Sequence, residues 1–345
     1  MIKKTSILTT LLITAFTLNV STVSAQMMTV TPISATIGTM NTSANELVSA
    51  PSISWPSIEA KSAFVYDPVG NVVLFEKNAD VQRPTASLLK IMTAMTADNI
   101  LAMSPKLAEK RIPIVNIKND VPADFALPTK STWLPDSLLK IMLVGSSNKA
   151  AETLASELIP RSSFISLMNY NAKRLGLTST YFRNPTGLTE FGLSKYKALA
   201  NQSEGRLDIA AGVSTAREVA KMLWAGIAEN PGLLDITGED SIIIPNKTTQ
   251  TAHSSTKTST STVITNTNIL LKNFPIRFGK TGFTDNAGGN LAVVLQKDDW
   301  SHPYVIVVMG STQDKRFEDV SKLASTTLNL LSMSIMSSST TSMMK

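Results

Sequence analysis

Three short strings, spaced far apart, constrain this chain most strongly. They are Ser87-Leu88-Leu89-Lys90, Ser146-Ser147-Asn148 and Lys280-Thr281-Gly282, separated by about 60 and then about 130 residues. Each alone is weak, because a serine three residues before a lysine occurs by chance in most chains of this length. In this order they are typical of a site at which a serine transfers an acyl group. Together they supply a nucleophile, a base and an electrostatic clamp.

The first string contains both the nucleophile and its base. Ser87 and Lys90 stand three apart on a predicted helix, so their side chains lie on the same face. Ser87 would begin that helix, where the free backbone N–H groups favour negative charge. A serine hydroxyl needs a base at neutral pH, and a lysine serves if its pKa is lowered by burial and by a second cation such as Lys280. For the pair in isolation, a helix cap beside a solvated lysine is the alternative.

The composition excludes other chemistries. The chain has no cysteine, which rules out thiolate catalysis and cysteine zinc sites. Its two histidines, His253 and His302, are far apart and in no triad-like context, so a histidine base and a metal site have little support. The formal charge of +6 is mild, and no basic stripe with interleaved aromatic residues indicates nucleic acid. We expect no cofactor and no nucleic-acid partner.

The first 25 residues have the pattern of a secretory signal. Lys3 and Lys4 form a charged start, an apolar run follows over 7–18, and Val23-Ser24-Ala25 offers a small-residue cleavage site. The run is shorter than the roughly 20 residues that a membrane span needs, although an uncleaved anchor is the alternative. We therefore expect an exported protein on the periplasmic or extracellular, cell-wall side, without a membrane anchor after cleavage.

The remaining pattern predicts an α+β fold. A β-hairpin is expected over 63–75, helices over 87–101, 138–143, 150–158, 164–175 and 215–228, strands over 276–280, 290–295 and 304–309, and a closing helix over 314–331. Strands at both chain ends predict one antiparallel sheet built from both ends, with a helical subdomain between.

Local signals refine the element ends and the domain limits. Gly176 is a suitable left-handed stop for the fourth helix, and Ser214 is expected to cap the fifth, with Thr215 and Glu218 as an alternative capping box. Residues 26–52 are expected to be a flexible lead-in, 53–331 one domain, and 332–345 a Ser/Met-rich tail. The Ser/Thr-rich segment 247–265 is expected to be a polar loop, with a strand as the alternative.

The nucleophile string lies in a longer stretch, Arg83 to Ala94, that resembles the low-molecular-mass penicillin-binding proteins, the serine D-Ala-D-Ala carboxypeptidases. The resemblance covers roughly residues 60 to 331, and it implies a β-lactamase/transpeptidase-like fold. It continues through Leu175-Gly176-Leu177, Asn184 to Leu188, Ser214 to Arg217, Gly279 to Asp285 and Gly310 to Phe317.

The resemblance implies roles for nine residues. Ser87 would attack the carbonyl of the penultimate D-alanine, Lys90 would take its proton, and Ser146 would relay a proton to the leaving amine. Asn148 would hold Lys90 and the substrate amide, and Lys280 would support Ser146. On the substrate side, the family implies Thr281, Gly282, Phe283, whose N–H would join that of Ser87 in the oxyanion hole, and Arg316, which would meet the terminal carboxylate. Peptidoglycan stem peptides would be the substrates, and β-lactams would be covalent inhibitors.

Three positions depart from the family pattern without removing a catalytic group. Thr85 stands where proline is usual, Ser147 where glycine is common, and Lys149 where aspartate is common. These changes bear on loop stiffness and substrate preference.

Three other functions remain open. A D,D-endopeptidase of the same family would cleave peptide cross-links with the same residues. Carboxypeptidases of the family often carry a second β-rich domain and an amphipathic C-terminal anchor. We expect room for neither after Leu331, which favours the endopeptidase. A class A β-lactamase needs a deacylating glutamate, which the stretch Glu190 to Ser194 matches only faintly. A wall-binding pseudoenzyme is the third, although every catalytic side chain is present.

Overall fold

A computed structural model describes residues 54–117, 127–128, 130–189, 205–245, 261–296 and 303–343, with the backbone alone for 331–343. These residues belong to one compact unit that runs from Ile53 to Lys345. The expected signal, the lead-in, the stretch Glu190 to Ser194 and most of the Ser/Thr-rich segment lie outside the described residues.

The described residues form twelve strands and eight α-helices, with most helices between strands from the two ends of the chain. The strands are β1 (Ser62–Asp67), β2 (Val72–Lys77), β3 (Arg83–Pro84), β4 (Ile112–Pro113), β5 (Thr132–Trp133), β6 (Tyr181–Phe182), β7 (Gly212–Ser214), β8 (Ser241–Pro245), β9 (Ser261–Thr265), β10 (Ile276–Thr284), β11 (Gly288–Leu295) and β12 (Tyr304–Ser311). The helices are α1 (Lys90–Met103), α2 (Pro105–Ala108), α3 (Pro135–Val144), α4 (Asn148–Glu157), α5 (Arg161–Arg174), α6 (Ala216–Glu229), α7 (Pro231–Asp235) and α8 (Lys315–Met343).

The predicted sheet from both chain ends is confirmed. Five strands pair in the order β10-β11-β12-β1-β2, and all four pairings are antiparallel. The first described strand, β1, lies beside the last, β12, with Ala63 opposite Val308 and Phe64 opposite Val307. The hairpin turn between β1 and β2 is closed by Asp67, whose Oδ1 accepts hydrogen bonds from the N–H groups of Val69 and Gly70.

The strands β11 and β12 are buried on both faces of the sheet, which explains why they are continuous apolar runs. On one face Val293, Ile306 and Val308 pack in a core with Val320 and Leu323 of α8. The other face packs in a larger core with the helices from the middle of the chain. Apolar side chains on both sides of a strand indicate a layer on each side. The fold is therefore a sheet between α8 and the helical region.

Four predicted details differ from the structure. Ser87 lies in a 3-10 turn, Ala86–Leu89, and α1 begins only at Lys90. Thr215 caps α6, because its side chain accepts from the N–H of Glu218, whereas Ser214 still belongs to β7. The end of the Ser/Thr-rich segment is the strand β9, which pairs with β8 and buries Ile264. The closing helix continues past 331 to Met343.

Gly176 follows the end of α5 with a φ of +71°, as expected of a left-handed stop. Within the described part of the chain, no helix combines the length and the apolar character needed to cross a bilayer.

Candidate active site

The nucleophile candidate, Ser87, stands at a tight turn between β3 and α1. The turn is fixed by Thr85, whose backbone N–H and hydroxyl both donate to the Gly212 carbonyl, at 2.9 and 3.1 Å. Ala86 then adopts a φ of +45°, an unfavourable value for a residue with a side chain, and the 3-10 turn follows. The spacing of apolar residues predicts a helix that begins at Ser87. That spacing carries no information about the hydrogen bond between Thr85 and the distant Gly212.

Lys90 connects two of the three strings. Its Nζ lies 2.8 Å from Ser87 Oγ and 2.7 Å from Asn148 Oδ1. The lysine side chain is fully buried. Asn148 is the first residue of α4, and Ser147 caps that helix by accepting from the N–H of Ala150. The amide oxygen is thus held in place to fix the Lys90 amino group beside the serine hydroxyl.

Ser146 and Lys280 form the second pair. Lys280 Nζ donates to Ser146 Oγ at 2.8 Å and to the Thr281 carbonyl at 3.1 Å. Ser146 lies between the end of α3 and the cap of α4, with a φ of +60°. Strained backbone of this kind is common at functional sites. The geometry separates Ser146 from both helices and presents its hydroxyl to the lysine.

The cations of the site lie close enough to affect one another. Burial lowers the pKa of Lys280 well below its ordinary value, and the charges of Lys90 and Arg316 lower it further. Burial also lowers the pKa of Arg316 to about 10, against the opposing effect of Asp314. Lys280 and Arg316 form no ion pair with a carboxylate among the described residues. A site with these properties favours an anionic ligand.

The strand β10 carries the third string past the nucleophile. A Cβ built on Gly282 would lie 3.2 Å from the Ser87 nitrogen and 3.1 Å from the Thr85 carbonyl oxygen, so glycine permits this close approach. The next residue, Phe283, is 38% exposed. The Thr281 hydroxyl is buried and lies 2.6 Å from that of Thr267.

Arg316, the second residue of α8, reaches the same end of β10. Its Nη1 donates to the Gly282 carbonyl at 2.8 Å, while its buried Nε has no hydrogen-bond partner among the described residues. The structure therefore places all nine predicted residues around one centre. Within the described residues no group of three His, Cys, Asp or Glu side chains is arranged to hold a metal ion.

Sequence reasoning missed a buried asparagine that supports the nucleophile turn. Asn290 of β11 donates to the carbonyls of Pro84 and Thr85, at 3.1 and 3.0 Å, and accepts from the N–H of Gly310 at 2.9 Å. The sequence does place Asn290 directly before the apolar run 291–295. A polar side chain next to a buried strand needs hydrogen-bond partners in the protein, and this could have indicated its role.

The loop 184–188 supports the nucleophile turn from the opposite side. Asn184 Oδ1 accepts from the N–H groups of Thr186 and Gly187, both at 3.0 Å. Gly187 has a φ of +91°, and a Cβ there would lie 2.5 Å from the Ala86 carbonyl. Backbone of this loop therefore packs directly against the residue before Ser87.

Known proteins have sequences related to that of this chain. The profile of peptidase family S11, described as D-alanyl-D-alanine carboxypeptidase, matches residues 47–313. A D-alanyl-D-alanine endopeptidase of Escherichia coli K12 is 31% identical over 282 residues, which are 79% of this chain and 79% of that relative. The D-alanyl-D-alanine carboxypeptidase DacC of the same organism is 30% identical over 284 residues, 78% of this chain and 61% of that relative.

Solved structures confirm the predicted fold class. Penicillin-binding protein D2 from Listeria monocytogenes, in its cefotaxime-bound form, has a TM-score of 0.62 at 26% identity, over 79% of this chain and 98% of that chain. A D-alanyl-D-alanine carboxypeptidase from Mycobacterium tuberculosis H37Rv has a TM-score of 0.60 at 25% identity, over 81% and 95% of the two chains. Since the family profile matches well over half of the sequence, the chain belongs to the S11 peptidase family of D-alanyl-D-alanine carboxypeptidases.

Proposed function

We propose that this protein is a serine-type D-Ala-D-Ala carboxypeptidase, which removes the terminal D-alanine of peptidoglycan stem peptides through an acyl-enzyme at Ser87. The observation that carries the proposal is the contact of Lys90 Nζ with Ser87 Oγ at 2.8 Å inside a fully buried environment. A buried lysine can act as a base where an exposed one is permanently charged. The catalytic domain in this proposal is the stretch 53–331.

The first half-reaction forms the ester and releases D-alanine. Neutral Lys90 accepts the Ser87 proton as Oγ attacks the carbonyl carbon of the penultimate D-alanine. The N–H groups of Ser87 and Phe283 stabilise the oxyanion, each donor contributing about 3 kcal/mol to lowering the barrier. The C–N bond then breaks. Ser146 passes a proton to the leaving amine and takes up the proton that Lys90 removed from Ser87, so that both residues return to their starting state.

Lys280 has an electrostatic role in that proton transfer. Its contact with Ser146 Oγ at 2.8 Å supports the hydroxyl as it gives up a proton to the amine. In the second half-reaction water attacks the ester, the acyl group leaves as a carboxylate, and Ser87 regains its proton. Asn148 holds Lys90 in place through both steps, at 2.7 Å.

Recognition of the leaving D-alanine rests on its carboxylate. Arg316 and Lys280 concentrate positive charge at one place, since the charge of Arg316 lowers the pKa of Lys280. Arg316 presents a planar fork of donors whose Nε is buried and without a partner among the described residues. A carboxylate would satisfy that donor. The same charge would attract the carboxylate of a β-lactam, which we propose as a covalent inhibitor.

The substrate determines where the protein would act. Peptidoglycan lies outside the cytoplasmic membrane, so we propose that residues 1–25 direct export and that the enzyme works on the cell-wall side.

A second candidate function is cleavage of peptide cross-links by the same residues. It is favoured by the match to the Escherichia coli endopeptidase, which covers 79% of both chains, whereas the match to DacC covers 61% of that carboxypeptidase. Both reactions use the same acyl-enzyme and differ in the group that leaves.

Product analysis separates the two functions. The purified protein is incubated separately with a pentapeptide ending in D-Ala-D-Ala and with cross-linked muropeptides, and the products are identified by mass. A carboxypeptidase should release tetrapeptide and free D-alanine from the pentapeptide, and its Ser87→Ala variant should release no product. Cleavage of cross-links alone would establish the endopeptidase, and no cleavage of either substrate would contradict both.

A further inference from the structure

Thr267 lies at the site although it belongs to none of the three strings. Its Oγ1 is 2.6 Å from Thr281 Oγ1, in the strand that carries Lys280. Its backbone N–H donates at 3.2 Å to the carbonyl of Val144, the last residue of α3. That carbonyl has no partner inside its helix, because helix ends leave such groups unpaired. Thr267 therefore connects the helix end before Ser146 to the strand of Thr281.

The backbone around Thr267 is held without help from its side chain. Asn266 Nδ2 donates to the carbonyls of Thr237 and Glu239, both at 2.9 Å. The backbone N–H of Asn266 donates to the backbone carbonyl of Asp240 at 2.8 Å. Asn266 Oδ1 accepts from the N–H of Asn268 at 2.9 Å. A change of the Thr267 side chain therefore removes a hydroxyl and leaves the loop in place.

The two hydroxyls share a single hydrogen bond, and its direction matters. A threonine hydroxyl has one proton to donate and two lone pairs to accept with. If Thr281 gave its proton to Thr267, it would have none for a substrate oxygen. If Thr267 is the donor, the proton of Thr281 stays available, and accepting a bond strengthens its own donation. The cations Lys280 and Arg316 nearby favour a negatively charged acceptor for that proton.

We propose that Thr267 is a positioning residue: its hydroxyl donates to Thr281 and so directs the Thr281 proton toward the carboxylate of the leaving D-alanine. The inference rests on the proposed function, since it assigns a substrate group to Thr281. Its consequence is selective. The D-alanine has already left when water attacks the ester, so Thr267 affects formation of the acyl-enzyme and not its hydrolysis.

The test compares Thr267→Val with Thr267→Ser and with Thr265→Val, a matched change at an exposed residue of β9. Pentapeptide cleavage gives kcat/KM for acylation. Intact mass after a pentapeptide pulse follows the decay of the peptidyl ester, from which D-alanine and its carboxylate have already left, and so gives the rate of ester hydrolysis. Thr267→Val should lower kcat/KM about 3- to 10-fold, the value of one hydrogen bond, and leave hydrolysis within about 2-fold. Thr267→Ser and Thr265→Val should behave as the wild type.

A double variant separates positioning from a general effect on structure. In a Thr281→Val background, Thr267→Val should cause no further loss of acylation by penicillin, because the proton that it directs is gone. An unchanged kcat/KM in Thr267→Val, equal slowing of both half-reactions, or multiplying losses in the double variant would overturn the inference while the wild type remains active. An inactive wild type would instead overturn the proposed function, and the inference with it.

Discussion

Lys280 Nζ lies 2.8 Å from Ser146 Oγ, although 134 positions separate the two residues. Lys280 comes from the sheet, and Ser146 comes from the junction of α3 and α4. The contact therefore forms only when the sheet and the helical region pack together. This contact places a buried cation where a proton must be transferred. The buried charge therefore lowers the stability of the protein while serving the reaction.

We predict that Lys280→Met stabilises the protein and inactivates it. Methionine has a similar length, and it removes a cation that is buried beside two others. Replacing buried charge with apolar volume often stabilises, here by about 1–3 kcal/mol at pH 7, whereas loss of the clamp should slow acylation by about 100-fold or more. Urea unfolding and penicillin acylation measure the two effects. Lys322→Met, at an exposed lysine, should change the free energy of unfolding by less than about 0.5 kcal/mol.

The stability gain of Lys280→Met should depend on pH. The native pKa of Lys280 is lowered from its ordinary value of 10.5, so between the two values the unfolded chain binds a proton that the native protein does not. Wild-type stability therefore rises with pH through this window and is lost as the pH falls through it, relative to Lys280→Met. Above pH 10.5 the protonation of Lys280 no longer contributes to the stability difference between the two proteins, and below the native pKa its contribution is constant. A difference between the two proteins that is independent of pH would contradict the lowered pKa.

Lys90→Arg should abolish acylation. The guanidinium keeps the charge but does not deprotonate, so it cannot take the Ser87 proton. We expect no penicillin adduct, with native circular dichroism. Because arginine is larger than the buried lysine, Lys90→Met serves as a second variant of smaller volume. If either folded variant is acylated at a near-normal rate, Lys90 is not the base.

Arg316→Ala should weaken pentapeptide cleavage by about 10- to 100-fold, corresponding to the 1.5–3 kcal/mol of a hydrogen bond to a charged group. Acylation by a β-lactam should slow in parallel, and a substrate with an amidated C-terminus should be indifferent to the change. The matched control is Lys315→Ala, because Lys315 is a partly exposed neighbour whose ion pair with Glu318 contributes little. Unchanged pentapeptide cleavage in Arg316→Ala would favour the endopeptidase.

Asn290→Ala should destabilise the protein by about 2–4 kcal/mol, because it removes the buried hydrogen bonds that its side chain makes to the Pro84 carbonyl and the Gly310 N–H group, and one of the two that the Thr85 carbonyl accepts. The acylation rate should also fall, since the carbonyls belong to the turn that carries Ser87. Asn273→Ala, at an exposed asparagine, is the control. A loss of stability below about 0.5 kcal/mol would show that Asn290 does not hold the turn.

The sheet and most helices could be predicted because their signals are local. The runs 291–295 and 305–309 are continuously apolar, and both are buried on the two sides. The hairpin of β1 and β2 has its turn residues between two apolar segments. These patterns depend on the period of each element and need no tertiary information.

Features set by tertiary contacts could not be predicted. The 3-10 turn at Ser87 depends on Thr85 binding a carbonyl 127 positions away, at Gly212. Thr267 reaches Thr281 only because its loop lies against the end of α3. The three strings identified the groups that form the centre of the site, but the asparagine and threonine that support them have no short-range pattern.

Intact-mass analysis after penicillin treatment tests directly whether Ser87 is the nucleophile. The wild type should gain the mass of one penicillin, and a digest should place it on the peptide that contains Ser87. The adduct should be long-lived, because the stretch Glu190 to Ser194 resembles the loop with a deacylating glutamate only faintly. Ser87→Ala should remain unlabelled at native circular dichroism. A Ser87→Ala protein that gains the same mass as the wild type would contradict the account.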